Sequence, residues 1–161
     1  MVEMKDILYS EWVPAGKFVR TIVGFASLLA LLIGVWVGVT IQNPLWIVIS
    51  GFLFILLLFV FWNFRGIRIQ LTTEELLVNY GFFHSEHILI SDVVLVEPTR
   101  ADFGKYWGVG VRYGTDRSLA YTTSFGSAVK IVLKKGRPFV FSSHNPQEIV
   151  NIINKQTQTS R

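Results

Sequence analysis

The chain has 161 residues, of which 51% are hydrophobic and only 16% are charged, against roughly 25% charged residues in typical soluble domains. Its formal net charge of +4 is compatible with attraction to anionic lipid, but it is too small and too scattered to indicate nucleic-acid binding. The absence of cysteine excludes disulfides, thiolate metal ligands and cysteine nucleophiles.

The first 17 residues mix apolar and charged side chains. Leu8, Trp12 and Val13 can share one face of a helix, and Pro14 and Gly16 end that pattern. One interpretation is a short interfacial helix anchored by Trp12, and the other is a frayed terminal tail. Residues 1–17 are accordingly predicted to be a cytoplasmic or interfacial segment.

A long apolar stretch follows. It runs from Thr21 to Phe64 without a charge, more than twice the length of about 20 residues that one membrane-crossing helix needs. Gln42, Asn43 and Pro44 supply a turn in its middle, because Pro cannot continue one helix and suits the start of the next. The sequence therefore predicts a transmembrane hairpin over residues 18–64, with helices at about 18–41 and 45–62.

Two features of the hairpin carry further predictions. Gly34 and Gly38 have the spacing that lets two membrane helices approach closely, although glycine is also common in membrane helices without that role. Lysine and arginine flank the hairpin on both sides, whereas its turn is uncharged. Since these residues accumulate on the cytoplasmic side, we expect a multi-pass protein of the cell (inner) membrane with both termini in the cytoplasm.

From about Ile67 the pattern changes to an alternation of apolar and polar residues, which is typical of half-buried strands. Near the C-terminus Asn145 and Pro146 form a helix start, and isoleucines follow at helical spacing. The predicted domain at residues 65–156 is mainly β: about seven antiparallel strands in a bent sheet or partly open barrel, capped by a C-terminal helix, with a polar tail at 157–161. The predicted strands are Ile67–Leu71, Leu76–Ile90 with a bend at Gly81, Val93–Val96, Val109–Tyr113, Leu119–Thr123, Val129–Leu133 and Phe139–Ser142.

Five segments carry a resemblance to a known family: IRIQLTTEELL, ILISDVVLV, GVGVRY, AVKIVLKK and PFVFSSHNPQEIVNII. Their order resembles a pleckstrin-homology-like (PH-like) domain, in particular the bacterial PH-like domains that follow a pair of transmembrane helices in small membrane proteins. The resemblance implies a module that recognises lipid headgroups or peptides, or acts as a scaffold, rather than an enzyme. Phosphoinositide-binding members carry basic residues at the first hairpin, whereas Thr72–Glu75 is acidic here.

Two basic stretches are candidates for binding. Lys105, Tyr106 and Trp107 either form a loop that faces headgroups or begin the next strand with their rings in the core. A second cluster either faces an anionic leaflet or is a solvated strand face with edge-protecting lysines. It comprises Lys130, Lys134, Lys135 and Arg137. The residues predicted to bind lipid or a partner are Lys105, Tyr106, Lys134, Lys135 and Arg137.

No group of residues indicates a reaction, a metal or a cofactor. His84 and His87 are three apart, which puts them on opposite faces of a strand, and no catalytic triad or carboxylate pair stands out. The prediction is a membrane-anchored PH-like binding or scaffolding module, not an enzyme, that contacts the lipid bilayer and an anionic headgroup or a membrane-associated protein. The alternative is an accessory subunit of a membrane protein complex whose helix pair is the working part.

Overall fold

The computed structural model describes residues 6–159, with the side chains of Phe103 and Thr159 left aside. Within that range the chain forms two compact units, one of residues 15–65 and one of residues 6–14 and 66–159. The helices are α1 (Lys17–Thr40), α2 (Leu45–Asn63), α3 (Phe103–Tyr106) and α4 (Pro146–Thr159), and a 3-10 turn spans Ile90–Asp92. The strands are β1 (Ile7–Pro14), β2 (Gly66–Thr72), β3 (Glu75–Tyr80), β4 (His84–Leu89), β5 (Val93–Ala101), β6 (Gly110–Tyr113), β7 (Leu119–Thr122), β8 (Gly126–Leu133) and β9 (Phe139–Ser142).

The two predicted apolar helices are confirmed as α1 and α2. Between them Gln42 adopts a left-handed conformation (φ 52), and the side-chain oxygen of Asn43 accepts a hydrogen bond of 3.0 Å from the N–H of Leu45. Pro44 then precedes the first residue of α2, as its missing N–H allows. By length and composition both helices are able to cross a membrane.

Small residues bring α1 and α2 together. A side chain added at Gly34 would collide with Ser50, and one added at Gly38 would lie 2.5 Å from Cγ1 of Ile47. Gly24 and Gly51, by contrast, have no atom within 4 Å of such a side chain. The structure thus favours the close-approach interpretation of Gly34 and Gly38, because only a hydrogen atom fits at those two positions.

Sheet A has four strands in the order β1-β2-β3-β4. Its first strand lies where the sequence suggested an interfacial helix or a frayed tail, and both interpretations are wrong for residues 7–14. β1 pairs antiparallel with β2, and Pro14 lies opposite Gly66. Gly66 is needed there because a Cβ atom would lie 2.6 Å from the ring of Trp12. Two stretches on either side of the apolar hairpin therefore form one β-ladder.

Sheet B has five strands in the order β5-β8-β9-β7-β6. The strands thus form two sheets rather than one bent sheet, and the pair β7–β9 is parallel instead of antiparallel. β5 does not end at Glu97 and Pro98 as expected but continues to Ala101. Pro98 is compatible with this strand because β5 pairs only with β8 among the described strands and so lies at an edge of sheet B, where proline is tolerated.

Aromatic side chains join the two sheets in the core of the β-domain. The ring centroids of Tyr80 in sheet A and Tyr121 in sheet B are 6.1 Å apart, and Tyr121 packs edge-on against Phe139 at 5.0 Å. The largest fully buried aliphatic residues among those described are Ile67, Ile69, Leu71, Leu76, Val78, Val129, Ile131, Val140, Ile149 and Ile153.

The predicted C-terminal helix is confirmed as α4, which contacts β5, β8 and the 3-10 turn. Ile149 and Ile153 are buried, as the isoleucine spacing predicted, whereas the third predicted member, Ile152, is half-buried and Val150 is buried instead. The helix continues to Thr159, so residues 157–159 of the expected polar tail are helical. Residues 160–161 of that tail, and residues 1–5 of the N-terminal segment, lie outside the described residues.

Candidate interaction surfaces

Strand register defines two ends of the β-domain. At the first end Pro14 pairs with Gly66, and the next residue, Ile67, pairs with Tyr80. This is the connection end, because here the chain leaves the domain for the helix pair and returns from it. The hydroxyl of Tyr80 donates a hydrogen bond of 3.4 Å to the carbonyl of Thr122, so the last residue of β7 belongs to the same end.

The opposite, distal end lies where β2 passes into β3. The N–H of Ile90 donates to the carbonyl of Glu74 at 2.8 Å, and the N–H of Lys134 donates to the carbonyl of Asp92 at 2.9 Å. These two bonds tie the β2–β3 turn, the 3-10 turn and the β8–β9 turn to one another. The β8–β9 turn, with its lysines, is therefore at the distal end.

Burial raises the pKa of both tyrosines that join the two sheets. It raises the pKa of Tyr80 to about 12. It also raises the pKa of Tyr121 to about 12, with a smaller contribution from the negative charge of Glu86. Both hydroxyls consequently remain hydrogen-bond donors, Tyr80 to Thr122 and Tyr121 to the Glu86 carboxylate at 3.5 Å.

Three of the five predicted binding residues form one exposed turn. Lys134, Lys135 and Arg137 are all exposed, and the Arg137 guanidinium lies 5.2 Å from the ring centroid of Tyr113, which is 63% exposed. Lys130, which the sequence grouped with them, is separate: it is half-buried in β8, and its Nζ is 3.5 Å from the Glu97 carboxylate.

Lys105 reaches the same end through an ion pair. Its Nζ lies 2.8 Å from Oδ2 of Asp116 in the β6–β7 turn. Burial acts to raise the pKa of Asp116, but hydrogen bonds from Lys105 and Ser118 outweigh it and lower that pKa to about 2. The hydrogen bond with Asp116 in turn raises the pKa of Lys105. Lys105 is thus a paired charge that fixes the turn.

Tyr106 is not an exposed binding residue, contrary to the prediction. It is 2% exposed and joins a buried cluster with Ala101, Ala120, Ala128 and Val140. Its hydroxyl is 3.3 Å from that of Ser118. Trp107, the next residue, is 71% exposed because its left-handed backbone (φ 55) turns the chain. Tyr106 therefore matches the interpretation of a ring in the core, and Trp107 matches the interpretation of an exposed ring.

Sequence reasoning missed one cation of this group, Arg117. It is exposed in the β6–β7 turn, and two residues later the N–H of Leu119 donates to the carbonyl of Pro138 at 2.9 Å. Only the parallel pairing of β7 with β9 brings this turn beside Arg137, and no local pattern signals such a pairing. We call the set Tyr113, Arg117, Lys134, Lys135 and Arg137 the distal basic surface.

Exposed apolar side chains adjoin the distal basic surface. Leu89 ends β4 at 52% exposure, and Val94 and Leu95, at 58% and 50%, lie at the start of β5 beside the pair Val93–Leu133. Asp92 and Glu74 are exposed acidic residues at the same end, Glu75 is half-buried there, and Asp116 is paired with Lys105. Arg117, Lys134, Lys135 and Arg137 are four cations against the first three carboxylates, so the surface combines apolar contacts with a small excess of positive charge.

The described residues hold no group of three or more histidine, aspartate and glutamate side chains able to bind a metal ion. His84 packs edge-on near Tyr121, with ring centroids 6.2 Å apart, and His87 is exposed. At the connection end a surface depression of ≈ 390 Å³ is lined by Arg100, Ala101, Asp102, Phe125 and Gly126.

No protein family, curated protein or solved structure matches this chain.

Proposed function

We propose that this chain is a membrane-anchored binding module with a PH-like domain, whose distal basic surface binds an acidic segment of a protein at the inner surface of the cell membrane. The helix pair spans the membrane, and both chain termini are cytoplasmic. The observation that carries the proposal is the exposure of Lys134, Lys135 and Arg137 on one turn beside the exposed apolar side chains Leu89 and Val94.

The distal surface favours a protein over the bilayer as the partner. Only Ala15 and Gly16 separate Pro14 from α1, and only Phe64 and Arg65 separate α2 from Gly66. At about 3.3–3.6 Å per residue, such linkers keep the connection end close to the ends of the membrane helices. The distal end is not tethered to the helices, so a protein in the cytoplasm can reach it.

Charge and apolar exposure together specify the partner's chemistry. An acidic segment satisfies the exposed cations, and one or two apolar side chains of that segment cover Leu89, Val94 and Leu95. Two membrane helices confine the module to the membrane surface, which raises the effective concentration for a membrane-associated partner, so weak intrinsic affinity suffices. The two-sheet domain with its C-terminal helix supports the PH-like assignment. That resemblance in turn implies recognition of a peptide.

The membrane topology is testable because the chain has no cysteine. Single substitutions Gln42→Cys and Lys135→Cys report on the helix turn and on the distal surface. We expect an impermeant maleimide to label position 42 in intact cells and position 135 only in inverted membrane vesicles. Labelling of both positions from the same side contradicts a membrane-spanning pair.

The partner chemistry is tested with a library of random peptides displayed on phage and selected against the full chain in lipid nanodiscs. We expect enrichment of acidic peptides with apolar residues, lost in the variant with Lys134→Glu, Lys135→Glu and Arg137→Glu. The matched control reverses charges at the connection end with Arg68→Glu and Arg100→Glu and keeps the enrichment. Equal enrichment by the distal variant, or no preference for acidic peptides, shows that the distal basic surface does not bind an acidic segment.

A further inference from the structure

The turn between β3 and β4 carries two consecutive phenylalanines. Tyr80 pairs with His84, so Gly81, Phe82 and Phe83 form the loop, and Gly81 has the left-handed backbone (φ 69) that glycine adopts without strain. Phe82 is 79% exposed and Phe83 is 72% exposed. Tight turns usually expose glycine, asparagine, aspartate or serine, because an exposed ring leaves its apolar surface in water.

The same turn lies at the connection end. Ile67 is the partner of Tyr80 in the ladder, and Gly66, one residue earlier, is the partner of Pro14. Gly81 and Phe82 therefore extend past the row at which β1 ends and β2 begins. Two-residue linkers join that row to α1 and α2, so this turn belongs to the end of the domain from which the linkers leave.

A second turn adds an aromatic ring to this end. Phe125, in the connection between β7 and β8, is 51% exposed, and the bond between Tyr80 and Thr122 brings this connection to the connection end. Arg100, exposed in β5, lines a depression beside Phe125, and Asp102 lines the same depression. This end thus presents aromatic rings together with the exposed cations Arg68 and Arg100 and the carboxylate of Asp102.

We infer that Phe82, Phe83 and Phe125 insert into the interfacial layer of the bilayer, so that the β-domain rests on the membrane through its connection end. This inference depends on the membrane anchorage proposed above. Aromatic rings favour the boundary between headgroups and acyl chains, and both phenylalanine turns belong to the end that the linkers hold there. A lipid surface, rather than a protein, is the occupant because the short linkers tether this end, and not the distal end, to the helices proposed to cross the bilayer.

Docking through this end also orients the distal basic surface. Strands of sheet A run between the two ends, so a domain that rests on the connection end holds Lys134 and Lys135 farthest from the bilayer. The aromatic turns thus limit the swing that the linkers alone permit. The partner surface is kept accessible from the cytoplasm.

The test uses the full chain in bilayer nanodiscs with an environment-sensitive dye on a single introduced cysteine. Ser124→Cys, exposed and next to Phe125, reports on the connection end, Lys135→Cys on the distal end, and Phe52→Cys on the middle of α2. Lipids with a nitroxide just below the headgroup are expected to quench the dye at 124 but not at 135. Lipids with a nitroxide near the bilayer centre are expected to quench the dye at 52.

Substitution then identifies the residues responsible. In the variant with Phe82→Ser and Phe83→Ser, we expect quenching at position 124 to be largely lost. A matched variant with Leu89→Ser and Val94→Ser, which removes exposed apolar side chains at the distal end, keeps it. Quenching must persist with neutral phosphatidylcholine and at high salt, because insertion of rings does not depend on charge.

Each outcome decides a separate point. Quenching at 52 without quenching at 124 overturns the insertion but leaves the membrane anchorage intact. Absence of quenching at 52 overturns the anchorage and the insertion together. Quenching at 124 that requires anionic lipid, or that survives the double phenylalanine substitution unchanged, overturns the role of the aromatic turn.

Discussion

The carboxylate of Glu11 accepts a hydrogen bond of 2.7 Å from the hydroxyl of Ser143, although the two residues are 132 positions apart. The second carboxylate oxygen accepts a bond of 2.8 Å from the backbone N–H of His144. One side chain thereby ties β1 to the residues that lead into α4. The N-terminal strand and the C-terminal helix are held by the same anchor.

Removal of this anchor is expected to destabilise the β-domain. Glu11→Ala leaves the Ser143 hydroxyl and the His144 N–H without their acceptor, which costs roughly 1–3 kcal/mol of unfolding free energy. Urea unfolding of the detergent-solubilised chain, followed by hydrogen exchange at amides of β2 and β9, measures the change. Glu97→Ala is the control, since its half-buried ion pair with Lys130 is expected to contribute less than about 1 kcal/mol. Equal losses in both variants contradict the anchoring role.

The β-domain is expected to fold without the apolar helices if β1 is kept. Pro14 and Gly66 are paired across an antiparallel ladder, so Asn-Gly in place of residues 15–65 closes a two-residue hairpin between them. We expect this protein to be soluble, monomeric in size-exclusion chromatography and dispersed in its amide NMR spectrum.

A chain that begins at Gly66 is expected to behave differently. It lacks β1, so the backbone of β2 becomes an open edge, and aggregation follows. A stable monomer from residues 66–161 shows that β1 contributes little. An insoluble Asn-Gly protein shows that the helix pair is needed for the domain to fold.

Substitution in α1 distinguishes glycines that pack against α2 from glycines that do not. Gly34→Ala forces a methyl group against Ser50, and overpacking of this kind costs about 1–3 kcal/mol. Gly24→Ala meets nothing within 4 Å and is expected to leave the helix pair unchanged or slightly more stable. Thermal unfolding of the helices in detergent, followed by circular dichroism, compares the two. A similar melting temperature in both variants argues against direct packing at Gly34.

Tyr106 and Trp107 are adjacent but are expected to respond in opposite ways. Tyr106→Ala removes a ring buried among Ala101, Ala120 and Val140, which costs roughly 3–5 kcal/mol, as for other large-to-small core changes. Trp107→Ala changes an exposed side chain and is expected to stay within about 0.5 kcal/mol of the wild type. Tyr106→Phe loses only the contact with Ser118, roughly 0.5–1.5 kcal/mol. Urea midpoints of the three variants rank them, and a larger effect at Trp107 contradicts this burial pattern.

The pair of Lys105 and Asp116 makes stability depend on acid pH. The folded pKa of Asp116 is about 2, below its ordinary 3.8, so its stabilising contribution is complete above pH 3.8 and is lost as the pH falls toward 2. Both side chains are about one third exposed, which limits the contribution to roughly 0.2–1 kcal/mol. Asp116→Asn is expected to lower stability at neutral pH and to match the wild type near pH 2. A difference that does not shrink as the pH falls excludes this carboxylate as the cause.

The sequence by itself determined the elements whose bonds are local. An uncharged stretch with Gln42, Asn43 and Pro44 in its middle specifies two apolar helices, because helical hydrogen bonds join residues four apart and need no distant partner. Period-two alternation specified most strands, and the isoleucine spacing specified the burial of Ile149 and Ile153 in α4, though not that of Val150.

Only the tertiary structure decided what depends on pairing between distant residues. β1 forms a strand because β2, beyond the helix pair, offers it a ladder, and Arg117 joins Arg137 because β7 and β9 run parallel. Tyr106 is buried because the alanines of three strands leave a place for its ring. Strand partners and ring contacts are non-local, so neither local propensity nor spacing in the sequence reveals which end of the domain a residue occupies.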